Sequence, residues 1–265
     1  MRAARSLVAT VVVVSFLCSG PALGQSPAEP GDLVLAAVRQ ALGGANRLAA
    51  VRSFVATGRT RQVQGNNLVA IEVQLAWEAP DKFVRTDEFP AQDREPVTTG
   101  FNGAALIQRA PPARQGAPAA RGNPPPGRGT GPPASAPIVT VTHDTARLML
   151  GLFAGSITPI PLTFRYAGLA EAPQGQADVL EAVGPDGFTA RFFVDKATHL
   201  PVMVTWETAP SMETRLYFAD YRAVDGVTWP FRLRRAVGSE PAEETNFDGF
   251  RINARIDPRR FEVNR

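Results

Sequence analysis

The chain has 265 residues, with 28 Lys or Arg against 25 Asp or Glu and a formal net charge of +3. Nucleic-acid-binding proteins usually concentrate a basic excess on one face, so this balance argues against that class of partner. One cysteine and two histidines are too few for a disulfide framework or a clustered zinc site, and we predict neither a metal nor a cofactor.

Residues 1–24 have the layout of a secretory signal peptide. Two arginines precede an apolar run from Leu7 to Leu17, which is shorter than the roughly 20 residues of a membrane span. Cys18 lacks the small preceding residue of a lipoprotein signal, because Leu17 occupies that position. We therefore predict cleavage after Gly24, a periplasmic or secreted protein, and no transmembrane helix in the mature chain.

The mature chain, residues 25–265, is predicted to fold as a single domain that begins with a helix. Asp32 can cap the N-terminus of this helix, and the pair Gly43-Gly44 ends it. Its apolar residues at helical spacing are Leu33, Ala37, Val38 and Leu42.

From Phe54 onward the hydrophobic pattern changes to a period of two, which is typical of strands with one buried face. The stretch "LVAIEVQLAWE" is the clearest example, and "RSFVATGRTRQ" before it is its predicted partner. A third strand follows Pro80-Asp81, and a hairpin turns at Asn102-Gly103. This half of the chain is therefore predicted to be antiparallel sheet.

Residues 110–137 break the pattern, because they are nearly all Pro, Gly, Ala and Arg, without an acidic or large apolar residue. Such a segment cannot bury enough surface to offset the entropy of ordering it. We predict a disordered or polyproline-like loop inserted into the domain. The alternative, in which its arginines contact anionic lipid or a protein partner, stays open.

Beyond the insertion the sequence predicts one more helix and then seven strands. His143-Asp144 is interpreted as a capping pair at the helix start, and turn signals such as Asp225-Gly226 lie between the strands. Many short strands with regular turns predict a mainly β protein: an open, unclosed antiparallel barrel with helices covering or plugging one side.

The sequence contains no recognisable catalytic constellation. His143 and His199 are isolated, and no motif for a serine or cysteine nucleophile is present. The adjacent carboxylates Asp87-Glu88 and Glu243-Glu244 point to opposite faces of a strand, so we expect them to be solvated surface. We predict that the protein is not an enzyme.

Several stretches resemble the LolA/LolB-like family of periplasmic lipoprotein carriers, and they cover nearly the whole mature chain apart from the insertion. They are "ALGGANRLAAVRSFVATG", "EAPDKFVRTDEF", "FVDKATHLPVMVTWE", "YFADYRAVDGVTWPFRLRR" and "FRINARIDPRRF". The last two are the most specific, with a Val-Asp-Gly-Val turn, an aromatic residue and a proline, and a closing Phe261.

This resemblance implies an unclosed barrel of about ten or eleven strands, closed on one side by helices, with an apolar cavity that shields acyl chains. Each buried CH₂ contributes about 0.8 kcal/mol, so acyl chains cross water poorly without such a cover. We expect a binding or carrier protein for a lipid or a lipidated protein. The alternative is a non-catalytic envelope scaffold whose barrel is filled and which binds a protein partner.

The expected ligand-binding residues lie on the early strand, on the apolar face of the second helix and on the later strands. They are Val69, Ile71, Val73, Leu75, Trp77, Leu148, Met149, Leu152, Phe153, Phe192, Trp206, Phe218, Trp229 and Phe231.

Overall fold

The computed structural model describes residues 29–65, 67–92, 94–109, 138–173, 175–209 and 211–263. The predicted signal peptide and the predicted loop at 110–137 lie outside these residues. Within the described part of the chain the structure has twelve strands and three α-helices. None of these helices is long and apolar enough to cross a membrane.

The helices are α1 (Pro30–Ala41), α2 (Ala45–Ala50) and α3 (Ile138–Phe153). The strands before α3 are β1 (Ser53–Gln64), β2 (Asn67–Glu78), β3 (Lys82–Phe89), β4 (Arg94–Asn102) and β5 (Ala105–Arg109). The strands after α3 are β6 (Thr163–Ala172), β7 (Gly175–Val183), β8 (Thr189–Asp195), β9 (Pro201–Ala209), β10 (Met212–Val224), β11 (Val227–Val237) and β12 (Glu240–Ile252).

All of these strands belong to one antiparallel sheet, in the order β5-β4-β3-β2-β1-β12-β11-β10-β9-β8-β7-β6. Strands β1 to β5 form one half of the sheet and β6 to β12 the other, and each half is a β-meander in which consecutive strands pair. The pairing of β1 with β12 joins the two halves. The edge strands β5 and β6 do not pair with each other among the described residues, so the sheet stays open. The predicted open antiparallel barrel is confirmed, with twelve strands where ten or eleven were expected.

The hairpin of β10 and β11 turns at Asp225-Gly226, as the sequence predicts. Both residues have positive φ, 49° and 78°. Two-residue turns of this kind match the right-handed twist of the strands that they join. The segment that ends α1 packs on this turn, since the backbone N–H of Thr228 donates to the carbonyl of Leu42 at 2.9 Å.

Helix α1 differs from its prediction in where it begins. It begins at Pro30, so Asp32 lies in the first turn and does not cap it. Leu35 and Val38 are buried against the sheet, whereas Leu33, one of the apolar residues at helical spacing, is 59% exposed. The earlier start and the packing of Leu35 set the rotation of the helix.

Helix α3 also begins earlier than predicted, at Ile138. His143 and Asp144 therefore lie inside the helix and do not cap it, and His143 packs edge-on against Phe188 with ring centroids 5.2 Å apart. The helix contacts β4 in one half of the sheet and β8 and β9 in the other. It thus spans the concave face between the two meanders.

The C-terminal half of α3 plugs the concave face. Phe153 is fully buried, and its ring centroid lies 5.3 Å from that of Trp229 and 6.3 Å from that of Trp77. Gly151 brings the helix against β10, because a Cβ at this position would overlap the ring of Phe218. Residues of α1 and α2 join the same apolar cluster.

A smaller apolar cluster lies on the convex face. Ile256 and Phe261, from the segment after β12, pack against Val55, Val84 and Ile107 there. The C-terminal segment therefore buries this part of the sheet on the side away from the helices.

Gly151→Ala tests the close approach of α3 to the sheet. Alanine normally stabilises a helix relative to glycine by about 1 kcal/mol. Here the added methyl would meet the ring of Phe218, which is 2% exposed and enclosed by its neighbours. We expect the free energy of unfolding to fall by about 1–3 kcal/mol in urea titrations, as overpacking does in other cores.

Gly31→Ala is the matched control in α1, because its new Cβ would come no closer than 3.4 Å to a neighbouring atom. We expect this variant to be neutral or slightly stabilised. A similar gain in stability for both variants would contradict the close contact of α3 with Phe218.

Candidate functional site

Beneath the N-terminal half of α3 the concave face is hollow. A cavity of about 250 Å³ lies between this half of the helix and the sheet. Strands from both halves of the sheet form its walls, since α3 spans them. The plug made by the C-terminal half of α3 fills the remainder of the concave face.

Most of the cavity wall is apolar. The apolar residues that line it are Val73, Leu75, Phe83, Val141, Leu148, Trp206, Leu216, Leu233 and Phe247. Leucine, valine and phenylalanine side chains offer no hydrogen-bond partner to a ligand, so this surface suits a hydrocarbon chain.

Charged residues interrupt the apolar wall. Arg85 donates through Nε to Asp87 at 2.8 Å and points its two terminal nitrogens at the oxygens of Glu243, at 3.4 and 3.5 Å. Arg235 lies directly opposite Glu243 in the pairing of β11 with β12. The Arg85 guanidinium, assisted by Arg235, holds the pKa of the Glu243 carboxyl below its usual range. Glu243 is therefore an anion in the folded protein at neutral pH.

Two guanidinium groups lie near the ring system of Trp206. The Cζ atoms of Arg147 and Arg235 lie 4.6 and 5.5 Å from the centre of its ring system. Arg147 is 8% exposed and pairs with Asp144 at 3.1 Å. Among the described residues, neither Trp206 Nε1 nor Arg147 Nε has a hydrogen-bond partner. This part of the protein thus holds buried N–H donors without an acceptor in the described part of the chain.

The structure divides the predicted ligand-binding residues into three groups. Four of them, Val73, Leu75, Leu148 and Trp206, line the cavity. The core contains Trp77, Met149, Leu152, Phe153, Phe192, Phe218, Trp229 and Phe231, which pack against other protein side chains. Ile71 is buried and Val69 half-buried, both outside the cavity wall.

The charged residues of the wall are absent from the sequence prediction. Glu243 was expected to be solvated, which is wrong, because its side chain is 17% exposed and ion-paired with Arg85. The signal was present in the period of two, since Arg235 shares the face of Leu233, and Glu243 shares the face of Phe247. A charge in phase with apolar residues on a strand indicates a polar group inside the barrel.

The wall of the cavity is partly apolar and partly charged. In the part of the chain that the structure describes, no three His, Cys, Asp or Glu residues cluster as metal ligands. The wall combines apolar side chains with Arg85 and Arg235, and it includes Trp206, whose buried indole N–H has no partner among the described residues. Pockets of this composition hold an apolar ligand and orient it through a few polar contacts.

The Glu243–Arg85 pair predicts an acid-sensitive stability. Because the folded pKa of Glu243 lies below its unfolded value of about 4.3, the contribution of the pair is complete above about pH 4.3 and is lost as the pH falls through the folded pKa. In urea titrations, the acid limb is the part of the curve in which the free energy of unfolding falls as the pH decreases. We expect this fall to be less steep in Glu243→Gln than in the wild type.

Glu244→Gln is the matched control, because Glu244 is the next residue on β12 and lies on the other face of the strand. It should keep the acid limb of the wild type. Superimposable acid limbs for Glu243→Gln and the wild type would show that the ion pair does not contribute.

No protein-family model matches the chain, and no curated protein sequence matches it significantly. Solved structures do match. A LolA superfamily protein from Nitrosomonas europaea superposes with a TM-score of 0.53 at 13% identity, over 85% of this chain and 97% of its own. An outer membrane lipoprotein-sorting protein domain from Vibrio parahaemolyticus gives 0.51 at 10% identity, over 87% and 95%. At these identities the likeness shows the fold, and the chain has the LolA-like fold that its sequence predicts.

Proposed function

We propose that this is an exported, non-catalytic binding or carrier protein that holds one hydrophobic chain in the cavity beneath α3. The observation that carries this proposal is the cavity itself, with nine apolar side chains around about 250 Å³. Ligand pockets generally measure about 300–1,000 Å³, so this one is small. It suits a single alkyl chain better than the several acyl chains of a whole lipoprotein.

The free energy of burying hydrocarbon supports such a role. Each CH₂ group that leaves water for an apolar wall contributes about 0.8 kcal/mol, so a chain of several carbons gains several kcal/mol. A carrier must also release its cargo, and a small cavity limits how tightly the cargo is held. The LolA-like fold and the signal-like sequence at 1–24 support a periplasmic or secreted location, with a lipid or a lipidated protein as partner.

The entrance is proposed to lie past the first turns of α3. Val139 is 38% exposed and Thr140 is exposed, while the helix becomes fully buried only from its middle onward. The N-terminal turns are therefore the more exposed part of this helix. Displacing them would open the cavity without disturbing the plug around Phe153.

Co-purification is the first test of the proposal. Native mass spectrometry of the protein purified from an exporting host should show a bound lipid species, and the stripped protein should take up a fluorescent fatty acid. A protein that carries no lipid and takes up no probe would contradict the proposed function.

Leu148→Trp tests whether the probe occupies this cavity. Leu148 lies on the helix side of the wall, and an indole there would fill part of the space. We expect fluorescent fatty-acid affinity to fall at least roughly ten-fold, the effect of losing about two CH₂ contacts. Leu33→Trp, at an exposed position of α1, is the control and should bind like the wild type.

A second candidate is the envelope scaffold with a filled barrel, which the packed aromatic cluster around Phe153 favours. Deleting residues 110–137 separates the two functions. Loss of partner capture with unchanged probe uptake would favour the scaffold, whereas lost uptake with unchanged capture would favour the carrier.

A further inference from the structure

We propose that the cavity selects single-chain amphiphiles with an anionic head, a carboxylate or a phosphate, and that Arg235 and the indole N–H of Trp206 bind that head. This inference rests on the proposed function and names the class of ligand. It follows from the pairing of the charges around the cavity.

Arg235 is a cation of the cavity wall without an anionic partner in contact among the residues that the structure describes. It lies on the apolar face of β11, in phase with Leu233, and its guanidinium approaches the ring of Trp206. Among the described residues its side chain makes no hydrogen bond and no ion pair within 4.0 Å, although Glu243 is its cross-strand neighbour. Its five N–H donors are therefore available to a ligand.

The carboxylates nearby are already engaged. Asp87 and Glu243 both pair with Arg85, at 2.8 and 3.4 Å, and Asp144 pairs with Arg147 at 3.1 Å. Each acid thus has a guanidinium in contact, whereas Arg235 does not. The charges of the cluster balance as three arginines against three acids, and an incoming anion would find its unused donors at Arg235.

Trp206 provides a second, independent observation. This residue lines the cavity, is 6% exposed, and has an indole N–H without a hydrogen-bond partner among the described residues. A buried donor left unpaired costs about 1–3 kcal/mol, so an acceptor that reaches it is favoured. A carboxylate or phosphate oxygen is such an acceptor, and the guanidinium of Arg235 lies over the same ring.

The head and tail of an amphiphile then have separate surroundings. The guanidinium of Arg235 and the indole N–H receive the anion, and the alkyl chain extends along Leu75, Leu148 and Leu233. A neutral chain of the same length would gain the apolar contacts alone. The ratio of the affinities for the anionic amphiphile and the neutral chain therefore measures the contribution of the head group.

Isothermal titration of the full mature chain at pH 8 tests this inference with four probes that share one alkyl chain, each below its micelle concentration. The probes are dodecanoate, dodecyl phosphate, dodecanol and dodecyltrimethylammonium. We expect at least one anionic probe to bind roughly ten-fold or more tightly than dodecanol, which is the range of a charge-assisted hydrogen bond. The cationic probe should bind no better than dodecanol.

Arg235→Gln should lower the ratio of anion affinity to dodecanol affinity to about one, and Arg235→Lys should restore part of that ratio. Arg234→Gln is the matched control, because Arg234 is the preceding residue, lies on the opposite face and stacks over Tyr217. Trp206→Phe keeps a ring but lacks the N–H donor, and should reduce the same ratio. Each variant is judged by the ratio of its affinity for the anion to its affinity for dodecanol. A general loss of stability lowers both affinities and leaves this ratio unchanged.

The outcomes separate the two proposals. Equal affinity for dodecanol and both anions, or an unchanged ratio in Arg235→Gln, would overturn the anionic subsite while leaving the hydrophobic carrier intact. Tighter binding of the cationic probe would overturn it as well. Failure of all four probes to bind would contradict the proposed function itself, and the subsite with it.

Discussion

The seating of α3 across an open sheet is the constraint on which the rest of the structure depends. An antiparallel sheet that does not close needs a cover for its apolar concave face. Helix α3 provides it by reaching strands of both halves, with Gly151 allowing close contact at Phe218. Arg39 of α1 holds the C-terminal end of α3, since its Nε and Nη2 donate to the carbonyl of Ala154 at 3.2 and 3.1 Å.

The cavity follows from the change in side-chain size along the same helix. The C-terminal half presents Met149, Leu152 and Phe153, which fill the space above Trp77 and Trp229. The N-terminal half presents the smaller side chains of Thr140, Val141 and Thr145 to the cavity. The charged residues opposite this half also oppose collapse of the walls, because ionised side chains are costly to enclose among apolar groups.

Aromatic packing explains why the remainder of the face is closed to a ligand. The ring centroids of Trp229 and Phe250 lie 4.6 Å apart, and Phe54 lies 5.4 Å from Trp229. Such contacts gain about 0.5–1.5 kcal/mol per pair beyond the burial of area. A ligand that separated these rings would lose several such contacts, whereas entry beneath the N-terminal half of α3 separates none of them.

The period of two in the hydrophobic pattern and the residue pairs that favour turns made the sheet predictable from sequence. The alternation of Val73, Leu75 and Trp77 and the turn at Asp225-Gly226 are local features, and both appear in the structure as expected. The division of that face into filled and hollow parts was not predictable, because Trp77 and Leu75 are equivalent in the pattern and differ only in what α3 places opposite them.

The polar half of the site escaped prediction for a related reason. Arg85 and Glu243 are 158 residues apart in sequence and meet only through the pairing order of the sheet. The in-phase position of Arg235 was a usable signal, but its lack of an ion pair depends on Arg85 engaging Glu243. Contacts of this kind are set by topology, which local periodicity does not specify.

Intermolecular NOEs between an alkyl probe and the methyl groups of the folded protein test most directly whether the hollow part of the concave face holds a hydrophobic chain. We expect NOEs from the chain to the methyl groups of Leu75, Leu148 and Leu233, and none to Leu152 in the filled part. NOEs confined to exposed methyl groups such as those of Leu33 and Leu68, with none to the cavity wall, would contradict a binding site beneath α3.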